Sequence, residues 1–456
     1  MQPSSARTMD PLLLLGSFIL VAVVLTWIIP AGQYDRVENS QTGTASVVPG
    51  SYKRLPSHPV GFGGLLLSIP AGLARAADII FYVFLAGAAL TVVELTGAIG
   101  AILDDLTKYL ARRQLFVLPI VSLLFLFGGA AYSMSEEIIA FIPLLCALMR
   151  RLKLPNTMAV AVSFGSATVA AAFSPFNTFL LGISQPALGL HLFSGFAFRC
   201  VFFVIAIFAW MAYLILKAAR MRGIPDVTAE VIPEVEKKAH PAATGARQYL
   251  VLLILNGGLA VMIVGAILWS WETSQFSALF IGIAVLAGIA GGLKLRGTSE
   301  AFAEGLRRVA LAAFLAGFAR AVSVILEDGK ILDTITELLF RPLQHVAGSG
   351  TAVSMLVAQS LLNLPMPSDS GKAMLALPIL SPLADLLHIS RQIVASSYQY
   401  CTLGGLINPT YGAFLAMLAL ARVPYTKWLR LVVPVYLILF AVCIVALVVG
   451  VRIGLQ

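Results

Sequence analysis

Charged residues are scarce in this sequence: they make up 12% of its 456 residues, while 59% are hydrophobic. Soluble globular domains carry about 25% charged residues, so the many apolar segments exclude a soluble protein and predict a polytopic membrane protein. The four cysteines and five histidines show no metal-ligand spacing. Phosphate-binding loops and nucleophile motifs are missing as well. These absences disfavour a metalloenzyme and an ATP-driven pump, and no cofactor is expected beyond a coupling ion, Na⁺ or H⁺.

The net charge of +9 has a local explanation, because lysine and arginine gather in short loops between apolar runs. Such loops face the cytoplasm in membrane proteins. The charge therefore sets the orientation of the chain. The expected partners are the lipid bilayer and a small-molecule substrate, and no nucleic acid is expected.

The apolar runs predict nine crossings in two halves, residues 1–217 and 249–456, joined by a cytoplasmic linker, 218–248. The crossings are predicted at 11–29, 79–99, 157–190, 193–217, 249–269, 276–293, 309–326, 390–420 and 431–451. The third and the eighth are too long for one straight helix, so these two are predicted to be broken helices.

Two further stretches are predicted to enter the membrane without crossing it. A transmembrane helix needs about 20 apolar residues, whereas the runs on either side of the polar segment 364–373 have about a dozen each. Re-entrant hairpins are therefore predicted at 115–149 and 351–387. Irregular backbone at that depth is tolerated only where it is buried in protein or lines a wet cavity, so the polar tips predict a binding site. Shorter stretches, 61–78 and 300–308, are predicted to be interfacial arms.

The two hairpin tips are related in sequence. The segment from Ser135 to Leu145 can be laid on the segment from Ser370 to Leu380 without a gap, and Phe84-Leu-Ala-Gly87 returns as Phe314-Leu-Ala-Gly317. Paired hairpins in corresponding halves are typical of transporters with inverted repeats. The tips supply the first candidate substrate-binding residues: Ser135, Glu136, Glu137, Ser368, Asp369, Ser370, Gly371 and Lys372.

The broken helices supply the second group of candidates. Their interruptions contain Ser174-Pro-Phe-Asn-Thr178 and Asn408-Pro-Thr410. One interpretation is a proline kink whose polar side chains satisfy the freed backbone. The other is that the oxygens hold a small cation and the amides face a carboxylate. The second interpretation adds Ser174, Asn177, Thr178, Asn408 and Thr410 to the candidate substrate-binding residues, with Asn177 and Asn408 as candidate cation ligands.

The charged residues at the tips are costly at the bilayer centre, at about 2.5–3.5 kcal/mol each unless paired or hydrated. One interpretation is a bridge between Glu137 and Lys372 that locks the tips together. The alternative gives the tip carboxylates a substrate ammonium, Na⁺ or a proton, and gives Lys372 a substrate carboxylate. A structural ion pair is predicted among Arg320, Glu327 and Asp328.

Several motifs together resemble the YfcC/DcuC-type carriers of the ion-transporter superfamily. They include Thr26-Trp-Ile-Ile-Pro-Ala-Gly-Gln-Tyr-Asp-Arg36, Glu136-Glu137, Pro367-Ser-Asp-Ser-Gly-Lys-Ala373 and Asn408-Pro-Thr410. The resemblance implies a scaffold and a transport domain, an elevator motion, a homodimer, and small carboxylates as substrates. One departure is that Gln399-Tyr400 is followed by Cys401, where the family often has Gly-Asp-Gly.

The sequence thus predicts an all-α polytopic carrier of the bacterial inner membrane, with inverted repeats, two re-entrant hairpins and two broken helices. We expect it to be a symporter or antiporter of a small amino acid or carboxylate. The alternative substrate class is a C4-dicarboxylate. An intramembrane enzyme using Glu136 and Glu137 is disfavoured because a metal-ligand or dyad pattern is missing, and a receptor on a transporter scaffold is a third alternative.

Overall fold

The computed structural model describes residues 11–39, 44–98, 117–222, 246–269 and 271–455, and helices make up most of them. Helices predominate because backbone groups in hydrocarbon have no water to bond with and are satisfied within a helix. Five of the described helices are long and apolar enough to cross a membrane: Ala77–Leu95, Phe196–Met221, Thr273–Ala290, Lys294–Asp328 and Tyr425–Arg452.

The described helices fall into two halves along the chain. The first half contains α1 (Pro11–Ile28), α2 (Phe62–Arg75), α3 (Ala77–Leu95), α4 (Val117–Tyr132), α5 (Ile138–Arg151), α6 (Thr157–Val160), a π-helical turn (Ala161–Gly165), α7 (Ser166–Phe173), α8 (Leu180–Ala187) and α9 (Phe196–Met221). The second half contains α10 (Ala246–Leu268), α11 (Thr273–Ala290), α12 (Lys294–Asp328), α13 (Leu332–Phe340), a 3₁₀ turn (Arg341–His345), α14 (Ser349–Leu362), α15 (Asp369–Leu386), α16 (Arg391–Cys401), a 3₁₀ turn (Thr402–Leu406), α17 (Gly412–Leu420) and α18 (Tyr425–Arg452).

Short helices stand where the sequence predicts hairpins and breaks. α4 and α5 are joined by residues 133–137, and α14 and α15 by residues 363–368. The four helices have 16, 14, 14 and 18 residues, and none of them is among the five that are long and apolar enough to cross. The interruption between α7 and α8 contains Pro175, and the one before α17 contains Pro409. Proline ends a helix because it lacks the backbone N–H that the next turn needs.

Four short strands correct the all-α prediction. β1 (Gly32–Gln33) pairs with β4 (Lys53–Arg54), and β2 (Arg36–Asn39) pairs with β3 (Thr44–Val47), both antiparallel. They lie in the polar segment after α1. Outside the hydrocarbon the backbone is not confined to helices, so this segment can form hairpin ladders.

The strand segment covers the C-terminal end of α12. The Gly32 amide donates to the Lys330 carbonyl (2.9 Å), and Arg36 donates to both carboxylate oxygens of Asp333 (2.8 and 2.9 Å). Tyr34 donates to Glu337 Oε2 (2.7 Å). Burial and the neighbouring Glu337 carboxylate raise the pKa of Tyr34 well above its ordinary value, so its hydroxyl remains a donor and fixes the segment to α13.

The predicted arm at 300–308 is not a separate element, because α12 is one continuous helix of 35 residues. Ion pairs one turn apart support its exposed start: Arg296 with Glu300 (3.0 Å) and Arg308 with Glu304 (3.2 Å). Such pairs stabilise surface helices. The sequence between arm and crossing also lacks proline, so nothing ends the helix there.

α3 and α12 pack closely and run antiparallel. A methyl group on Gly317 would lie 2.8 Å from Ile80 Cδ1, and one on Gly305 would lie 2.5 Å from Ala88 Cα. Glycines at such contacts let two membrane helices approach closely. Arg308 pairs with Glu94 (3.1 Å) where α3 ends and α12 is still near its start.

We predict that a methyl group at Gly129 destabilises the fold, because it would lie 2.5 Å from Ala167 Cα and force α4 away from α7. Gly129→Ala is expected to lower the free energy of unfolding by about 1–3 kcal/mol. Gly182→Ala is the control, since a methyl group there meets no atom within 4 Å and alanine favours a helix. Thermal unfolding of both variants in one detergent checks this, and equal midpoints would contradict it.

Candidate functional site

The interruptions of four helical segments meet at one cavity, which we call the central cavity. It has a volume of about 60 Å³, enough for a few water molecules at about 10–15 Å³ each. It is lined by Ser133, Met134, Ser135, Phe164, Thr168, Ala171, Leu180, Asn363, Pro367, Asp369, Thr402, Gly405, Asn408 and Tyr411. Both hairpin tips and both broken helices therefore contribute to its wall.

The two hairpin tips share this cavity through Ser135 and Asp369. The Tyr411 hydroxyl, just before α17, donates to Ser135 Oγ (2.7 Å) and lies 3.4 Å from Glu136 Oε1. Tyr411 is not a predicted site residue, and its only signal in the sequence is its position next to Asn408-Pro-Thr410. It connects the first tip to the second broken helix.

The first broken helix is bonded to the end of α4. Asn177 Nδ2 donates to the Gly129 carbonyl (2.9 Å), and Thr178 Oγ1 donates to the Ala131 carbonyl (2.9 Å). Ser174 Oγ donates to the Ala130 carbonyl (2.7 Å). Carbonyls at the C-terminal end of a helix have no partner within the helix. These three side chains supply the missing donors.

The second broken helix repeats this arrangement at the end of α14. Asn408 Nδ2 donates to the Asn363 carbonyl (2.8 Å), and Thr410 Oγ1 donates to the Leu364 carbonyl (2.6 Å). In both halves an asparagine and a threonine of the interruption therefore bond the first helix of the preceding hairpin. This is the backbone-satisfying role that the sequence left open as one interpretation.

The roles of Asn177 and Asn408 as cation ligands stay predictions. Asn177 Oδ1 already accepts hydrogen bonds from the backbone amides of Phe179 (3.1 Å) and Leu180 (2.7 Å). Asn408 Oδ1 accepts from the amide of Thr410 (3.0 Å) and lies 2.8 Å from the Thr410 hydroxyl. A cation at either oxygen would have to share or replace these donors.

Lys372 is 1% exposed and is bound within the second half. Its ammonium donates to Asn363 Oδ1 (2.7 Å), pairs with Asp369 (3.0 Å) and lies 3.6 Å from Cys401 Sγ. The bridge to Glu137 considered from the sequence is not formed between these two described residues. Glu137 instead accepts the Ser135 amide (3.0 Å) within its own tip.

The remaining tip residues support the start of α15. Ser368 is its N-terminal cap and accepts the Gly371 amide (3.3 Å), and Ser370 lies 3.4 Å from Ser368. Of the predicted site residues, Ser135, Asp369 and Asn408 line the central cavity. The rest surround it or hold it in shape: Glu136, Glu137, Ser174, Asn177, Thr178, Ser368, Ser370, Gly371, Lys372 and Thr410.

Near the end of α12, the residue that forms an ion pair with Glu327 comes from another helix and not from α12 itself. Glu327 pairs with Arg75 of α2, and the Asp328 carbonyl bonds His58 Nδ1 (2.9 Å). Arg320 is half-buried, and its charge acts favourably on the Glu136 carboxylate. The sequence could not indicate this, because α2 and the first tip are far from α12 along the chain.

Helix N-termini add positive character to the cavity wall. Leu180 begins α8, Asp369 begins α15, and Tyr411 immediately precedes α17. The N-terminal end of a helix carries partial positive charge, which favours an anionic group, although at α8 the amides of Phe179 and Leu180 already bond Asn177 Oδ1. The central cavity therefore combines helix ends suited to a carboxylate with the carboxylate of Asp369.

Residues 10–452 match a protein family described as the C4-dicarboxylate anaerobic carrier, DcuC. This chain belongs to the DcuC family. The resemblance inferred from the sequence motifs is thereby confirmed. Together with its apolar helices, membership identifies this DcuC-family chain as a multi-pass membrane transporter and not as an enzyme.

Two relatives of this DcuC-family protein match over 92% of both chains. A protein of Haemophilus influenzae, named only as an uncharacterized protein, is 28% identical over 470 residues. A protein of Escherichia coli K12, named "Putative basic amino acid antiporter YfcC", is 26% identical over 470 residues.

Two solved transporter structures are similar to the DcuC-family chain over nearly its whole length. The Alcanivorax borkumensis YdaH transporter is 18% identical, with a TM-score of 0.41, and the match covers 98% of this chain and 99% of that one. Neisseria gonorrhoeae MtrF, titled as illuminating a class of antimetabolite efflux pumps, is 16% identical, with a TM-score of 0.42 and coverage of 98% and 96%. Scores of this size do not establish a shared fold.

We predict that Asn177 stabilises the site of this DcuC-family protein. Asn177→Ala leaves the buried Gly129 carbonyl and Leu180 amide without their partner, and each buried unsatisfied group costs about 1–3 kcal/mol. The midpoint of thermal unfolding should fall clearly. Asn256→Ala is the control, because Asn256 is exposed and bonds the Leu252 carbonyl of its own helix. Similar midpoints for the two variants would argue against the role.

Proposed function

We propose that this DcuC-family protein is a secondary active transporter that carries a small amino acid across the bacterial inner membrane. Transport would be driven by exchange or by Na⁺ or H⁺. The observation that carries the proposal is the charge at the central cavity. Asp369 lines it, and Glu136 approaches it through Tyr411. Its described lining residues include no lysine or arginine.

The wider charge balance supports a ligand with an ammonium group. On the two tips and α12, the three carboxylates of Glu136, Glu137 and Asp369 outnumber the two cations of Lys372 and Arg320, a formal excess of one negative charge. Lys372 is held by Asp369. An unbalanced charge inside the membrane is costly, so a positively charged group of the substrate would stabilise the occupied site.

The carboxylate of the same substrate has a separate place at the helix ends. The starts of α8 and α15 reach the cavity at Leu180 and Asp369, and Ser135 and Thr168 add hydroxyl groups. An amino acid thus finds partners for both of its charges, and the tips must separate to admit it, because a volume of about 60 Å³ holds only a few water molecules. This agrees with the name of the Escherichia coli relative, "Putative basic amino acid antiporter YfcC".

The alternative is a C4-dicarboxylate, which is what the family description names. One carboxylate of such a substrate could use the helix ends. Its second carboxylate would lie near Glu136, which repels it, while the charge of Asp369 is already offset by Lys372. The geometry therefore favours the amino acid, and uptake measurements distinguish the two.

We further propose that the hairpins and broken helices move together along α12, as in an elevator. Three residues on one face of α12 lie along the site. Gly412 packs against the backbone of Ala316, Arg320 acts on the first tip, and Ser323 Oγ donates to the Pro365 carbonyl at the second tip (3.4 Å). A glycine packed against an alanine presents little obstacle to sliding. A homodimer would hold α3 and α12 in place during the motion.

Uptake into proteoliposomes tests the substrate class. We expect counterflow of labelled arginine or ornithine, or uptake of a neutral amino acid under a Na⁺ or H⁺ gradient. Uptake of succinate and fumarate alone would establish the dicarboxylate alternative. Failure of every compound with folded protein would contradict the proposal.

The carboxylate of Glu136 gives a sharper prediction. If the Glu136 carboxylate contributes about 1.4 kcal/mol to the binding free energy of the substrate's ammonium group, Glu136→Gln raises the KM for the transported amino acid about tenfold. Glu300→Gln is the matched control, because Glu300 is an exposed carboxylate paired with Arg296 at the far end of α12. Initial rates over a range of substrate concentrations give both KM values. An unchanged KM in Glu136→Gln would remove this residue from the site.

A further inference from the structure

A second and larger cavity lies on the other side of the second hairpin tip. We call it the outer vestibule. Its volume is about 360 Å³, within the range of about 300–1,000 Å³ typical of small-molecule sites, while the central cavity holds only a few waters. Its polar and gating residues are Gln33, Arg36, Glu327, Lys330, Asp333 and Met366.

The outer vestibule is at the end of α12 that faces away from the cytoplasm. α12 begins at Lys294 and has Arg296 and Arg308 in its first half. Basic residues of this kind mark the cytoplasmic side. The vestibule is built on the opposite end of the same helix, at Lys330, beneath the strand segment.

One charged side chain of the vestibule is left for a ligand. Arg36 binds Asp333 through both carboxylate oxygens, and Glu327 pairs with Arg75. Lys330 is exposed, and its ammonium has no hydrogen bond or ion pair to any residue in the described part of the chain. A free ammonium in a cavity of this size is suited to a carboxylate.

The backbone of Lys330 is in the left-handed region, at φ 52°. Glycine or asparagine adopts that conformation more readily than lysine does. Lysine is therefore not the residue that local stability favours at this turn. The same conformation occurs at Lys294 (φ 58°), at the other end of α12, which provides a matched position for comparison.

The wall between the two cavities is one hairpin tip thick. Met366 lines the outer vestibule, and the next residue, Pro367, lines the central cavity. Methionine is flexible and adapts its shape easily. A small displacement of this tip would join the two cavities.

We propose that the outer vestibule is a carboxylate-binding capture site, in which Lys330 holds a small amino acid before it passes the Met366–Pro367 tip into the central cavity. This rests on the proposed function, since it takes the substrate to carry a carboxylate. It assigns the carboxylate an external partner, which Lys372 cannot be while it is buried against Asp369.

Lys330→Asn tests the site without straining the turn, because asparagine suits the left-handed backbone. We expect the KM for arginine uptake from the outer side to rise about tenfold, the maximal rate to change less than about twofold, and thermal stability to be equal or higher. Lys330→Arg should keep the low KM. Lys294→Asn, the matched control, should transport as the parent does. An unchanged KM in Lys330→Asn, or an equal rise in Lys294→Asn, overturns the proposal.

A binding measurement separates failure of the vestibule from failure of the transport proposal. Gln33→Cys places a thiol on the wall of the outer vestibule, where a membrane-impermeant maleimide can label it. The parent protein is the blank for this labelling. Arginine or succinate should slow the labelling of Gln33→Cys. Neither should slow it in the double variant that also carries Lys330→Asn. Agmatine, which is arginine without its carboxylate, should not protect. If neither arginine nor succinate slows labelling, the capture site is refuted, whether or not transport is observed.

Discussion

The structure depends on satisfying backbone groups where helices end inside the protein. Each hairpin exposes carbonyls at the end of its first helix, and lipid offers them no donor. Asn177 and Thr178 supply donors in the first half, and Asn408 and Thr410 in the second. These bonds join each hairpin to the broken helix that follows it. Without them, the tips would have no fixed position and the central cavity would have no wall.

The charges are arranged around this framework. Lys372 is buried and neutralised within its own half by Asp369 and Asn363, so the central cavity is bounded by carboxylates and by helix N-termini. At the outer vestibule, by contrast, the Lys330 ammonium has no hydrogen bond or ion pair to any of the described residues. An amino acid would thus meet a positive group first and a negative group later. The order in which it meets them, rather than one strong site, would guide it inward.

The framework was predictable from the sequence, whereas the partners of individual side chains were not. Run lengths and prolines predicted where the short helices and the interruptions lie, because a helix shorter than a bilayer and a missing N–H are local properties; that these helices are re-entrant stays a prediction. Lys372 bonds Asn363 across its own tip and lies near Cys401 of another helix. Such contacts leave no periodic pattern in the sequence. The continuous α12 and the strands after α1 were missed because surface ion pairs and hairpin ladders give weak signals among apolar runs. Tyr411 was missed because a single tyrosine carries no pattern.

The central claim is that the two hairpin tips together hold the substrate. Its most direct test is a cryo-electron microscopy map of the protein in lipid nanodiscs with saturating arginine, compared with a map without it. The account predicts added density between Ser135 and Asp369, with the ligand's ammonium or guanidinium toward Glu136 and its carboxylate toward the start of α8. Density confined to another part of the protein, with the space between the tips unchanged, would contradict it.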